Sequence, residues 1–259
     1  MHRLSLSTLA ALSVLATGAT LVAAAEGGKG FTCETTPAPI VSLDFGSRYT
    51  EDSPTRSDID EASNAEVNKA LEPVDNYIND LSKMANTALL DEADRPERIA
   101  CVTQWLLDWA EADALSGLES LNAKLAAPAR FAGFAIALLQ VQAAGQVDQT
   151  ARETIVSWLK GLGEPMMAFF EKDAPPKASR NNLRAWAALA AAAIGKASGD
   201  AAMIQWAEQS FELVACDAAA DGSLPLEMGR ADKALSYQLH ATAPLVLTAD
   251  LLAGEGFDG

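Results

Sequence analysis

"SRNNLRAWAALAAAAIG", residues 179 to 195, decides the fold. Alanine is the strongest helix former, and its small side chain lets neighbouring helices approach closely, so the run from Ala187 to Ala193 reads as a buried helix. Ser179, Asn181 and Asn182 are candidates for its N-cap, because a short polar side chain there accepts orphan backbone N–H groups. Gly195 is the expected stop. A helix of methyl groups gains stability only among other helices, so the flanking sequence has to supply them.

It does. From Asp58 onward, Val67, Leu71, Val74, Ile78 and Leu81 recur at three or four residues, with Pro73 expected to kink or divide that first segment. Further amphipathic runs fall at about 95 to 112, 115 to 125, 128 to 144, 148 to 171, 181 to 194, 201 to 218 and 231 to 253. Short polar connections such as "DEADRP" and "KASGD" join them, and no alternation of period two competes. The pattern predicts an all-α array of antiparallel hairpins, able to curve into a toroid around a central cleft.

Residues 1 to 25 have a basic start at Arg3, an apolar middle and a small-residue end at Ala23 and Ala25, the pattern of a secretory signal peptide cleaved before Glu26. No second long apolar segment is read as a membrane anchor. Residues 26 to 57, rich in Gly, Pro, Ser and Thr, read as an extended lead, and residues 58 to 259 as the helical domain.

A net charge of −16 opposes binding to nucleic acid or anionic lipid, so any basic cleft has to be local. Cys33, Cys101 and Cys216 match no zinc or thioredoxin-type spacing, and the exported chain keeps a single histidine, His240; no metal or cofactor is expected. In an oxidising compartment one cysteine pair would close, and Cys33 with Cys101 would tie the lead to the helical body.

The polar candidates lie in "DGSLPLEMGRADKALSYQLHATAPL", residues 221 to 245. After Gly229, the residues Arg230, Lys233, Tyr237 and His240 recur at helical spacing and share one face. Singly each is an ordinary surface or core residue. Together, on a face that abuts other helices, they suggest a site.

At these residues the chain resembles a known family, the periplasmic alginate lyases of polysaccharide lyase family five. "SLDFGSRYTEDSPTRSDID" is similar to the family's Ser-Lys-Tyr-Glu-Gly-Ser-Asp segment, which implies substrate contacts for Arg48 and Tyr49. "RIACVTQWLLDWAEADAL" resembles its cysteine- and tryptophan-bearing helix, and the family's disulfide matches Cys33 and Cys101. "NNLRAW" corresponds to the signature Asn-Asn-His-Ser-Tyr-Trp: Asn181, Asn182 and Trp186 match, whereas Leu183 stands at the histidine and Arg184 and Ala185 also depart. "GSLPLEMGRADKALSY" carries the family's arginine and tyrosine onto Arg230 and Tyr237.

The resemblance implies an incomplete (α/α) toroid, shortened at its C-terminal side, that cleaves a uronate polymer by β-elimination as a periplasmic monomer. Asn182 and Arg230 would neutralise the substrate carboxylate. Tyr237, made more acidic by Arg230, would move the protons. Asn181, Arg184, Trp186 and His240 would line the groove, with Arg184 and His240 as the two candidates to replace the missing imidazole. The alternative is a lyase-like protein that binds exopolysaccharide with impaired turnover.

Overall fold

A computed structural model describes residues 30 to 253, and the signal-peptide reading lies outside them. The elements run β1 (Ser42–Leu43), α1 (Glu61–Leu90), α2 (Arg95–Glu111), β2 (Gly117–Leu118), α3 (Leu121–Ala144), α4 (Gln149–Lys172), α5 (Asn182–Ser198), α6 (Ala201–Ala215), α7 (Pro225–Met228) and α8 (Ala234–Leu252), with single 3-10 turns at Ala178–Arg180 and Ala231–Lys233. The all-α expectation holds, and the architecture is an incomplete (α/α) toroid.

Helix α5 sits at the centre, against α3, α4, α6 and α8. Every residue from Ala187 to Ala193 is buried. Asn181 is its N-cap, accepting the Leu183 N–H at 3.0 Å. Gly195 does not stop the helix, which continues to Ser198 and ends at Gly199 with φ +73°. The glycine serves proximity instead, since a Cβ there would meet Ile204 Cγ1 at 2.8 Å and the Asp200 carbonyl oxygen at 3.2 Å.

Two expected breaks are absent for one reason. Pro73 neither divides nor ends α1, which runs unbroken, and the two helices expected between 115 and 144 are one long α3 with a buried Pro128 plus a short strand. Tertiary burial outweighs the lost hydrogen bond. In α1 that burial comes from Leu71, Val74, Tyr77 and Leu81, and Tyr77 stacks on Trp109 with ring centroids 3.9 Å apart. Among the described residues α3 is the one helix long and apolar enough to cross a membrane, and half of its apolar window is buried in the core.

The lead is extended, as its composition suggested, but strapped down along its length. The indole N–H groups of Trp105 and Trp109 donate to the carbonyls of Glu34 and Pro37, each at 3.0 Å. β1 pairs in parallel with β2, and Cys33 is disulfide-bonded to Cys101 on α2. Cys216 is free and exposed.

Closing 68 residues of chain with that disulfide removes entropy from the unfolded ensemble worth roughly 4 kcal/mol. Cys33→Ser should lower the urea midpoint accordingly, with the slope against urea reporting whether the unfolded chain also expands.

Candidate active site

The lead turns back on itself after β1. Thr50 N–H donates to Asp58 O at 3.0 Å and Asp60 N–H to Arg48 O at 2.9 Å, while Tyr49 bridges to Ile59. This places the Tyr49 ring over the start of α8, where its hydroxyl contacts the Tyr237 hydroxyl. The Arg230 guanidinium lies 3.6 Å from the Tyr237 ring centroid and 5.6 Å from that of Tyr49. Arg56 covers Tyr49 at 5.4 Å, and its carbonyl accepts from Arg230 Nη2 at 2.7 Å. Two phenols and two guanidiniums thus form one cluster.

Burial is the main influence on the Tyr237 phenol and raises its pKa. The Tyr49 hydroxyl adds to the rise, Arg230 opposes it, and the net result is about 12. The expected acidification by Arg230 is therefore overturned: the cation acts in that direction but is outweighed. At neutral pH Tyr237 is a protonated phenol.

One turn on, His240 accepts the indole N–H of Trp186 at Nε2, 3.0 Å away. Its ring lies edge-on to Tyr237 with centroids 6.3 Å apart. His240 keeps an exposed edge, yet burial of the remainder and the nearby Arg130 charge lower its pKa. A neutral imidazole accepting at Nε2 carries its proton on Nδ1. Leu183 is half-buried, three residues before Trp186 on the same helical face.

Other expected residues go elsewhere. Arg184 is 4 % exposed and points away from the groove, pairing with Glu171 at 2.6 Å, bonding Ser210 Oγ at 2.8 Å and stacking on Trp206. Adjacent helical positions differ by about 100°, which turns it between α4 and α6. It therefore does not replace an imidazole at Leu183.

Arg48 donates to Asn64 and Asn68 on α1, at 2.6 and 2.5 Å, and does not touch the phenol cluster. Asn181 lines a separate depression with Lys177, Arg180 and Leu224. Asn182 is buried and its amide nitrogen donates to both oxygens of the Glu227 carboxylate, which turns it toward that acid. Sequence reasoning missed Glu227 and Arg56. A lone acid in the apolar "SLPLEM" was the signal for the first, while nothing local marked the second.

The cations divide by partner. Arg130, Lys160, Arg180 and Arg184 each face a carboxylate. Among the described residues Arg48, Arg56 and Arg230 show no ion pair and are held by amides, a hydroxyl and a carbonyl, as Arg95 and Arg152 are held elsewhere by backbone carbonyls. Their charge is left uncancelled on the side of the molecule where the lead meets α8.

Residues 130–258 match the alginate lyase family profile. A polysaccharide lyase of Stenotrophomonas maltophilia is 32% identical over 202 residues, 77% of this chain and 60% of the relative. An alginate lyase of Pseudomonas syringae pv. tomato is 26% identical over 238 residues, 90% of this chain and 62% of the relative. The chain thus spans about three-fifths of the length of these curated relatives.

Alginate lyase A1-III of Sphingomonas species A1 superposes with a TM-score of 0.70 at 26% identity, covering 89% of this chain and 64% of that one. A tyrosine-to-phenylalanine form of that enzyme, complexed with a tetrasaccharide, gives 0.72 at 26% identity, with 89% and 63% coverage.

In a Tyr77→Phe background, the phenolate absorbance of Tyr237 should titrate near pH 12, and adding Tyr49→Phe should move the midpoint down while burial holds it above an ordinary tyrosine. An unchanged midpoint would remove Tyr49 as a cause.

Proposed function

We propose that this chain, which carries an alginate lyase domain over residues 130–258, binds an acidic polysaccharide across the Tyr49, Arg230, Tyr237 and His240 cluster and cleaves it by β-elimination. The observation that carries the proposal is the guanidinium of Arg230 against a protonated phenol, held by a backbone carbonyl and in no ion pair among the described residues. A chain of net charge −16 attracts a polyanion only where cations are left unpaired, and Arg48, Arg56 and Arg230 are such cations.

The chemistry follows from those groups. The C5 proton of a uronate becomes removable once its carboxylate is held by a cation, here Arg230. The neutral imidazole of His240, one turn from Tyr237, takes the C5 proton, the C5–H electron pair forms the C4=C5 bond as the C4–O4 bond breaks, and the leaving O4 needs a proton. Tyr237, protonated at neutral pH, supplies it. The Tyr49 hydroxyl in contact with Tyr237 gives that proton a second oxygen to return from. Trp186, His240 and Leu183 would line the sugar rings.

One observation favours a second reading, binding without turnover. Leu183 carries no exchangeable proton, and the Asn182 amide nitrogen is turned toward Glu227, which leaves the carboxylate with Arg230 as its main neutralising group. Export to the periplasm is inferred from residues 1 to 25 and suits the disulfide, and a role in alginate catabolism would follow from the activity.

Purified protein incubated with poly-mannuronate, poly-guluronate, poly-glucuronate and hyaluronan should release a product with the ultraviolet absorbance of a 4,5-unsaturated uronate from at least one of them. Tyr237→Phe should reduce that rate by at least about 10²-fold, and wild-type rates in this variant would overturn the assignment. Calorimetric binding of an oligouronate with no absorbance change would select the second reading. Leu183→His should raise turnover on poly-mannuronate if that polymer is the substrate.

A further inference from the structure

Trp186 belongs to α5, the helix of the alanine tract, and His240 to α8, which packs against it. The indole is half-buried and packed on the main core, which limits the directions its N–H can take. That N–H donates to His240 Nε2 at 3.0 Å, with the ring centroids 5.2 Å apart and the planes inclined at 44°. An indole nitrogen donates and does not accept. Its partner is therefore the unprotonated nitrogen of the imidazole.

A neutral histidine has two tautomers, and a fixed donor at one ring nitrogen selects between them. Here the proton is driven to Nδ1, and Nε2, on the side of α5, is the one basic atom. Protonating the ring would set two donors 3.0 Å apart with no acceptor between them, so the contact that sets the tautomer also favours the neutral ring. Burial and Arg130 of α3 act in the same direction, and Arg130 is itself paired with Asp75 of α1 at 2.8 Å. Among the described residues the titratable ring beside His240 is Tyr237, edge-on one turn back on α8, with Arg230 and Tyr49 on its far side.

We propose that Trp186 is a positioning residue for the proton abstraction, whose indole N–H fixes His240 in the Nδ1-protonated tautomer and keeps its basic nitrogen on the α5 side of the cluster. This rests on the reading of His240 as the base that takes the C5 proton. It gives a physical account of how the chain works with leucine at position 183. The imidazole comes from α8 rather than from α5, and the tryptophan one turn beyond Leu183 holds it there. The lone pair that the indole engages in the empty protein is the one that takes the proton, so a seated uronate replaces the indole N–H at that atom.

The test reads the tautomer directly. His240 is the one histidine in residues 26 to 259, so the ring nitrogen shifts of histidine-labelled protein report it. The wild type should show a neutral ring protonated on Nδ1, and Trp186→Phe a mixture of both tautomers. In that variant the midpoint of the ring should rise by about half a unit to one unit, the worth of one neutral hydrogen bond. A wild type protonated on Nε2, or a midpoint that Trp186→Phe leaves in place, overturns the proposal; circular dichroism confirms that the variant folds. The wild type supplies a second measurement that needs no variant to fold: the Trp186 indole N–H resonance should shift with the same midpoint as His240, and an indole indifferent to that titration overturns the proposal as well.

Turnover separates this from failure of the functional reading. On a uronate polymer that the wild type cleaves, the acid limb of kcat/KM should move up in Trp186→Phe by the same half unit to one unit. His240→Gln should lower kcat by at least about 10²-fold. A limb that stays in place while the nitrogen spectra move overturns the positioning role, because the ring that Trp186 holds is then not the base. A wild type that neither binds nor cleaves uronates sinks the functional reading, and the nitrogen spectra still decide the tautomer.

Discussion

The close approach of four helices to α5 is the constraint on which the rest depends. Ala187 to Ala193 and Gly195 remove side-chain volume from that helix, so its neighbours are separated by little more than methyl groups. Packing at that density leaves the start of α5 few ways to sit. Its first residue is clasped by Glu227, and its fifth reaches His240 across the gap to α8. The polar groups are thus placed by an apolar tract that touches no ligand.

The same burial governs the electrostatics. A cation 3.6 Å from a phenol ring ought to favour phenolate, yet Tyr237 titrates near 12 because desolvation and a second phenol outweigh it. The balance suits a group that must deliver a proton. It also leaves the Arg230 charge unspent on ionising its neighbour. His240 shifts the opposite way for the same reason, since burial disfavours whichever form is charged.

Much of this was legible in the sequence, and its failures share a cause. The alanine tract, the period of α1 and the spacing of Arg230, Tyr237 and His240 are local patterns, and local patterns survive folding. The expected division at Pro73, the expected break between 125 and 128 and the expected stop at Gly195 misled because local propensity yielded to burial supplied by residues far along the chain. Arg184 misled differently. Its type suggested a charge for the groove, but one residue of helical rotation sends it to Glu171 and Ser210. The orientation of the Asn182 amide was beyond reach, because it is set by an acid 45 residues away.

How an acidic protein could hold a polyanion is answered by pairing rather than by count. Acidic residues outnumber basic ones, 35 against 19, and Arg130, Arg180 and Arg184 each pair with one, so that their charge is neutralised where it stands, while Arg95 and Arg152 bond backbone carbonyls. Arg48, Arg56 and Arg230 are held by groups that orient a guanidinium without cancelling it: two asparagines, a serine hydroxyl and a backbone carbonyl. A half-buried cation with neutral partners, such as Arg48 or Arg230, costs free energy in the empty protein. Such a cost persists most readily where a bound anion returns it, and the resulting field is short-ranged enough to leave the rest of the surface repelling nucleic acid and anionic membranes.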